Sequence, residues 1–315
     1  MRTRAALLVL ATLALGSVGC IRKMVVDGQI QAFRQASSSF ETSGDYEYAR
    51  SAMPAAILQF EGMHALSPDN ADALFMLAKT YTGYGNLVVQ DDLEAAEVAG
   101  NDALVEYHRK RARAAYDRGV FYGQRLMNQT APGFVDAKRD EATLKKWLAD
   151  HFVRREDAGA LFWTGFAWLV RVDVMKGDDT EGPQFIAELF VGEDLLERAM
   201  QLDPSVEHFN ALTALGAYHS RNAMAELDQG RTLFDMAMQR TRGRDLQVPY
   251  NYARFYACAK GDAALYRRLL ESVLDAGDTD PEQRFPNVAA KHFAARWLDR
   301  KWAKDQCGID LGKAR

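Results

Sequence analysis

The sequence predicts an all-α protein: TPR-like helical hairpin repeats forming a compact α-solenoid, with little or no β structure. Three observations carry that prediction. Apolar residues recur at helical spacing, as in 71–81, where Leu74, Leu77, Ala78 and Tyr81 fall on one face. No run of alternating β-branched residues competes with that period. Most of the 8 prolines, namely Pro68, Pro132, Pro183, Pro204, Pro249, Pro281 and Pro286, fall where helices would start or stop.

Taken in chain order, residues 1–19 have the parts of an export signal. Arg2 and Arg4 precede an uncharged apolar run over 5–15, which is too short to span a bilayer. Small residues at Ser17 and Gly19 then lead into Cys20, the arrangement a lipoprotein signal peptidase needs, with short side chains before a thiol that receives a diacylglyceryl group. The commonest lipobox has Leu where Ser17 stands, and the same small residues also suit ordinary signal peptidase. Cys20 is read as the lipid attachment site, since acyl chains gain about 0.8 kcal/mol per buried methylene and anchor without a transmembrane helix. Residue 21 is Ile rather than Asp, so the inner-membrane retention cue is absent. The expected location is the periplasmic face of the outer membrane, with a signal peptide at 1–19, a lipidated tether at 20–36 and a helical domain over 37–315. No later segment reads as an uninterrupted membrane span.

Loss of Arg2 and Arg4 makes the mature chain two units more negative than the −4 of the full sequence, which argues against a nucleic-acid partner. Besides Cys20 there are only Cys258 and Cys307; a single disulfide and two separate thiols are both compatible with the sequence.

The first hairpin is the clearest. Ala56 and Phe60 occupy positions of a repeat's second helix, Pro68 ends it, and Leu74, Leu77, Ala78 and Tyr81 open the next helix in register. Residues 84–104 and 128–142 are more polar and read as irregular insertions between helices. A second pair runs from Leu196 and Ala199 through Asp203-Pro204 to Leu212, Leu215, Gly216 and His219, after a slip of about two residues. A third continues with Gly230, Phe234 and Ala237, and a degenerate pair covers 252–270. Turn-rich segments at 67–70, 178–183, 203–205, 242–245 and 275–281 separate them.

In order, these stretches resemble the T-component family of TPR-associated TRAP transporters (TatT). The likeness rests on Phe40 with Gly44-Asp45, on Ala49, Ala52 and Pro54 leading to Leu58 and Pro68, and on the basic-aromatic stretches 111–116 and 118–122. It continues in Leu161-Phe-Trp163…Trp168 and in 281–290 with Ala294, Ala295, Trp297 and Leu298. The resemblance implies a trimer of helical-hairpin protomers, each with a channel or cavity. It also implies a periplasmic solute-binding P-component as partner and a small hydrophobic or organic-acid ligand. A general TPR scaffold lipoprotein of the cell envelope, binding proteins in its concave surface, is the alternative.

There is no His-Glu-x-x-His, Cys-x-x-Cys, Gly-x-Ser-x-Gly or phosphate-cradling Gly-rich loop, and the six histidines are scattered. The expectation is therefore a non-enzymatic protein without metal or cofactor. His219 reads as an interior packing histidine, Asp91-Asp92 and Asp178-Asp179 as solvated caps, and Arg109 to Arg113 as a solvated face backed by aromatics. Tyr81, Tyr84, Trp163 and Trp168 are the candidate ligand-binding residues: the resemblance implies that their helices surround the cavity, and aromatic concavities favour apolar or carboxylate-bearing molecules. Packing of the repeat core is the competing role.

Overall fold

The computed structural model describes residues 23–175, 182–221 and 226–312; Cys20 and the Asp178-Asp179 pair lie outside them. The described residues contain helices and turns and no strand. The helix α1 (23–36) leads to a single turn, α2 (Ser38–Glu41), and then to the first hairpin, α3 (Tyr46–Leu66) and α4 (Ala71–Tyr84). Asp45 and Asn70 cap those two helices by accepting from the amides of Tyr48 and Ala73. Phe60, Leu74, Leu77 and Ala78 are buried in one cluster, as the repeat pattern predicts.

Residues 84–104 differ from the irregular insertion expected. A π-helical segment (Gly85–Val89) carries α4 on into α5 (Gln90–Val98), and a short turn leads into the long α6 (Asp102–Thr130). Their polarity misled because α5 buries charge: Asp91 and Glu94 are both buried and paired with arginines. Residues 128–142 likewise hold the end of α6, the turn α7 (Phe134–Ala137) and the start of α8 (Glu141–His151), with Phe134 fully buried.

Next come α9 (Ala158–Met175), α10 (Gly182–Ala187), α11 (Leu189–Leu202), α12 (Val206–Arg221) and α13 (Leu227–Thr241). Gly165 and Gly192 let α9 and α11 cross closely, since a Cβ on Gly192 would sit 2.6 Å from Leu169 and 3.0 Å from the Gly165 carbonyl. The segment Arg155–Met175 is long and apolar enough to cross a membrane, but most of its apolar stretch is buried inside the protein. It is the core helix, which accounts for its apolar length.

The chain closes with α14 (Gln247–Asn251), a second π-helical segment (Tyr252–Ala257), α15 (Cys258–Lys260), α16 (Ala263–Asp275), α17 (Arg284–Trp297) and α18 (Arg300–Cys307). Cys258 and Cys307 are disulfide-bonded, which ties α15 to α18. The array bends until its ends meet: Phe40 meets Phe285 edge to face, and Tyr46 stacks on Phe285 and on His292, bringing α2 and α3 onto α17. Residues 23–36, expected as a tether, form a helix that docks on this hairpin. Ile30 is fully buried, and Asp27 accepts from Ser67 and from Asn70.

Candidate functional site

Inside the bend lies a cavity of about 450 Å³, within the range of small-molecule sites. One wall is α9, where Phe162, Trp163, Phe166, Leu169, Val170 and Asp173 all face it. Their spacing is that of one helical stripe, apolar along its length and acidic at its C-terminal end. On α12 the facing residues Asn210, Thr213, Ala214, Ala217 and Arg221 repeat the pattern, small or polar first and basic last.

Charge is concentrated at two poles. At the Trp163 end, Lys79 of α4 lies 2.7 Å from Glu41 and 3.3 Å from Glu207, with its Nζ 5.3 Å from the centre of the Trp163 ring. Burial opposes the lysine charge, yet Glu207 and Glu41 outweigh it and raise the Lys79 pKa. At the other end, Arg221 has Asp173 at 3.6 Å and lies over the Phe255 ring at 4.3 Å. Among the described residues its Nε has no hydrogen-bond partner. Burial lowers the Arg221 pKa, with Asp173 pulling the other way. Neighbouring Arg254 is better served, 2.9 Å from Glu94.

Unusual backbone borders the cavity. The chain enters α12 through Glu207, His208 and Phe209 at φ of 45°, 59° and 68°, a left-handed turn that costs roughly 1–2 kcal/mol per residue. It aims Glu207 and His208 inward, and the Lys79–Glu207 pair ties it to α4. Both π-helical segments reach the cavity, one through Asn86 and Leu87, the other through Arg254 and Phe255. Gly85 admits the Tyr116 ring, which a Cβ there would meet at 2.5 Å.

The four predicted aromatics are not gathered in one place. Trp163 lines the cavity. Trp168 is buried in the core beneath Arg171, whose guanidinium carbon is 4.6 Å from its ring centre. The Tyr81 hydroxyl donates to Glu61 and its ring stacks on Tyr122, while Tyr84 accepts from Arg111 at 2.6 Å. Neither tyrosine is among the cavity-lining residues.

The Asp91-Asp92 pair, expected as a solvated cap, is a correction. Asp91 is 4% exposed and accepts from Tyr46, Arg50, His292 and Arg296, and Asp92 pairs with Arg50 and Arg111. The reason is tertiary: α3, α6 and α17 each bring a cation to α5. Arg111 is thus partly buried rather than part of a free basic face, whereas Arg109 pairs with Glu106 on its own helix. His219 is an interior histidine, 4% exposed, contacting Glu226 and Gln229 at 2.9 Å each. Among the described residues no group of three or more His, Cys, Asp or Glu side chains is placed to hold a metal ion. The hydroxyls of Ser37 and Ser39 donate to carbonyls of α1.

Lys79, Asp173, Arg221 and Glu207 escaped the sequence reading. One signal was available: Arg171 and Asp173 interrupt an otherwise apolar helix, and charge within a core helix needs a partner or a ligand.

A family model described as TRAP transporter T-component (TAtT) matches residues 42–304. None of the curated proteins compared with the chain matches it.

Proposed function

The chain belongs to the TRAP transporter T-component family, and from that premise we propose that it is a non-enzymatic accessory which docks a periplasmic solute-binding P-component. It takes a small hydrophobic or organic-acid ligand in the cavity along α9. The observation that supports this reading is a largely apolar cavity of about 450 Å³ whose charged lining, among the described residues, lies at its two ends. Such a site binds by shape and charge, and transfer then requires a difference in affinity between docked and free states. Export to the periplasm through the signal at 1–19, with lipidation of Cys20, completes the reading. The Cys258–Cys307 disulfide favours it, because such bonds persist in oxidising compartments. Assembly as a homotrimer is part of the same proposal.

Affinity capture of the native lipoprotein from membranes tests it. The expected catch is a periplasmic solute-binding protein, and mass spectrometry of the purified chain should find a bound small molecule. Recovery of envelope-assembly factors with no solute-binding protein would sink the transport reading in favour of a general scaffold. Sedimentation of the mature chain gives the oligomeric number. Metabolic labelling with a fatty-acid analogue, lost in Cys20→Ala, tests the anchor.

A further inference from the structure

The two poles of the cavity are chemically unequal. At one, a single ammonium faces two carboxylates, so Lys79 is more than neutralised by Glu41 and Glu207. At the other, Arg221 has one carboxylate beyond hydrogen-bond range, at 3.6 Å, and an Nε with no partner among the described residues. The side chain of Arg221 is half-buried, but its Nε is buried, and a buried donor left unused is costly unless something completes it. Asp173 ends the α9 stripe that begins at Phe162, so by helical rise the two poles stand roughly 16 Å apart. On α9 the interval is filled by apolar side chains, Phe162, Trp163, Phe166, Leu169 and Val170.

We propose that Arg221 is the head-group anchor of this cavity and that its ligand is an amphipathic monocarboxylate whose apolar body runs along α9 toward Trp163. This rests on the reading of the cavity as a ligand site and specifies its occupant. A carboxylate matches the planar fork of a guanidinium and would bring the acceptor that Nε lacks. The Phe255 ring beneath Arg221 holds the fork in plane. An anion at the far pole would instead meet Glu41 and Glu207, so the geometry selects against a carboxylate at both ends. Discrimination comes from that repulsion as much as from the attraction at Arg221.

Titration calorimetry of the full mature chain with decanoate, decanol and decanedioate tests this, with Trp163 fluorescence as a second readout. Decanoate is expected to bind at least tenfold more tightly than decanol, and decanedioate more weakly than decanoate. Arg221→Gln should lose at least tenfold in decanoate affinity while its affinity for decanol stays unchanged. Equal affinity of wild type for decanoate and decanol overturns the proposal, as does an Arg221→Gln chain that binds decanoate like wild type. If that variant fails to fold, the wild-type preference among the three probes decides alone. Decanol binding without preference for decanoate removes only the anchor. Absence of binding by every probe removes the cavity reading as well, and loss of P-component capture bears on docking alone.

Discussion

Single side chains show the physics most directly where charge is buried. Asp245 is 1% exposed; its Oδ1 accepts from the Gln247 amide and its Oδ2 has no partner among the described residues. Burial pushes its carboxyl up to about 6, against the opposing pull of the Gln247 amide and of His208. Because the folded chain holds this proton more tightly than the unfolded one, stability falls as pH rises from about 4 to about 6, then stays lowered. Asp245→Asn keeps the acceptor and removes the charge. It should be more stable than wild type at pH 8 by up to about 3 kcal/mol and nearly equal to it at pH 4, as read by melting temperature. A difference that does not depend on pH would contradict this assignment. Trp168 and Trp163 make a second contrast, since the first is core and the second lines the cavity. Trp168→Ala should cost about 3–5 kcal/mol, while Trp163→Ala should unfold later than Trp168→Ala and lose binding of an apolar probe.

Helices were legible wherever one face is apolar and the other wet. The hairpin of α3 and α4 could be read from Phe60, Leu74, Leu77 and Ala78 because their burial follows their spacing. Residues 84–104 could not, because Asp91 and Glu94 are buried by partners from α3, α17 and the second π-helical segment, remote in sequence. The cavity was legible only as one aromatic, Trp163; its poles depend on which helix ends meet, and no local pattern encodes that. Close crossings are a further property of elements. At the α9–α11 crossing a Cβ on Gly192 would displace Leu169, a residue of the cavity wall. Gly192→Ala should therefore cost about 1–3 kcal/mol by overpacking and should also weaken binding of apolar probes. Normal stability in chemical denaturation would show that α11 can shift away without consequence.

At the scale of the molecule, closure decides whether a cavity exists at all, because its walls are drawn from both ends of the chain. The contact that closes the bend centres on Asp91, which joins α5 to Tyr46 and Arg50 of α3 and to His292 and Arg296 of α17. Burial alone would raise its pKa, but the hydrogen bond from His292 and the charge of Arg296 outweigh it and hold the carboxyl at about 2. A folded-state value below the ordinary one means that the unfolded chain takes up the proton first. This stabilisation is thus complete above about pH 4 and is lost as pH falls toward 2. Asp91→Asn removes one charge from Arg50 and Arg296, which keep Asp92 and Glu94, and losing the stabilisation that holds the carboxyl near 2 costs about 2 kcal/mol. The variant should melt earlier at neutral pH and lose part of the wild type's sensitivity between pH 4 and 2. It should also bind apolar probes more weakly, because an open bend no longer encloses the space beside α9. If Asp91→Asn matched wild type in melting and in probe binding, the ends would be held by aromatic packing of Phe40 and Tyr46 on α17, and the ion cluster would contribute nothing to the cavity.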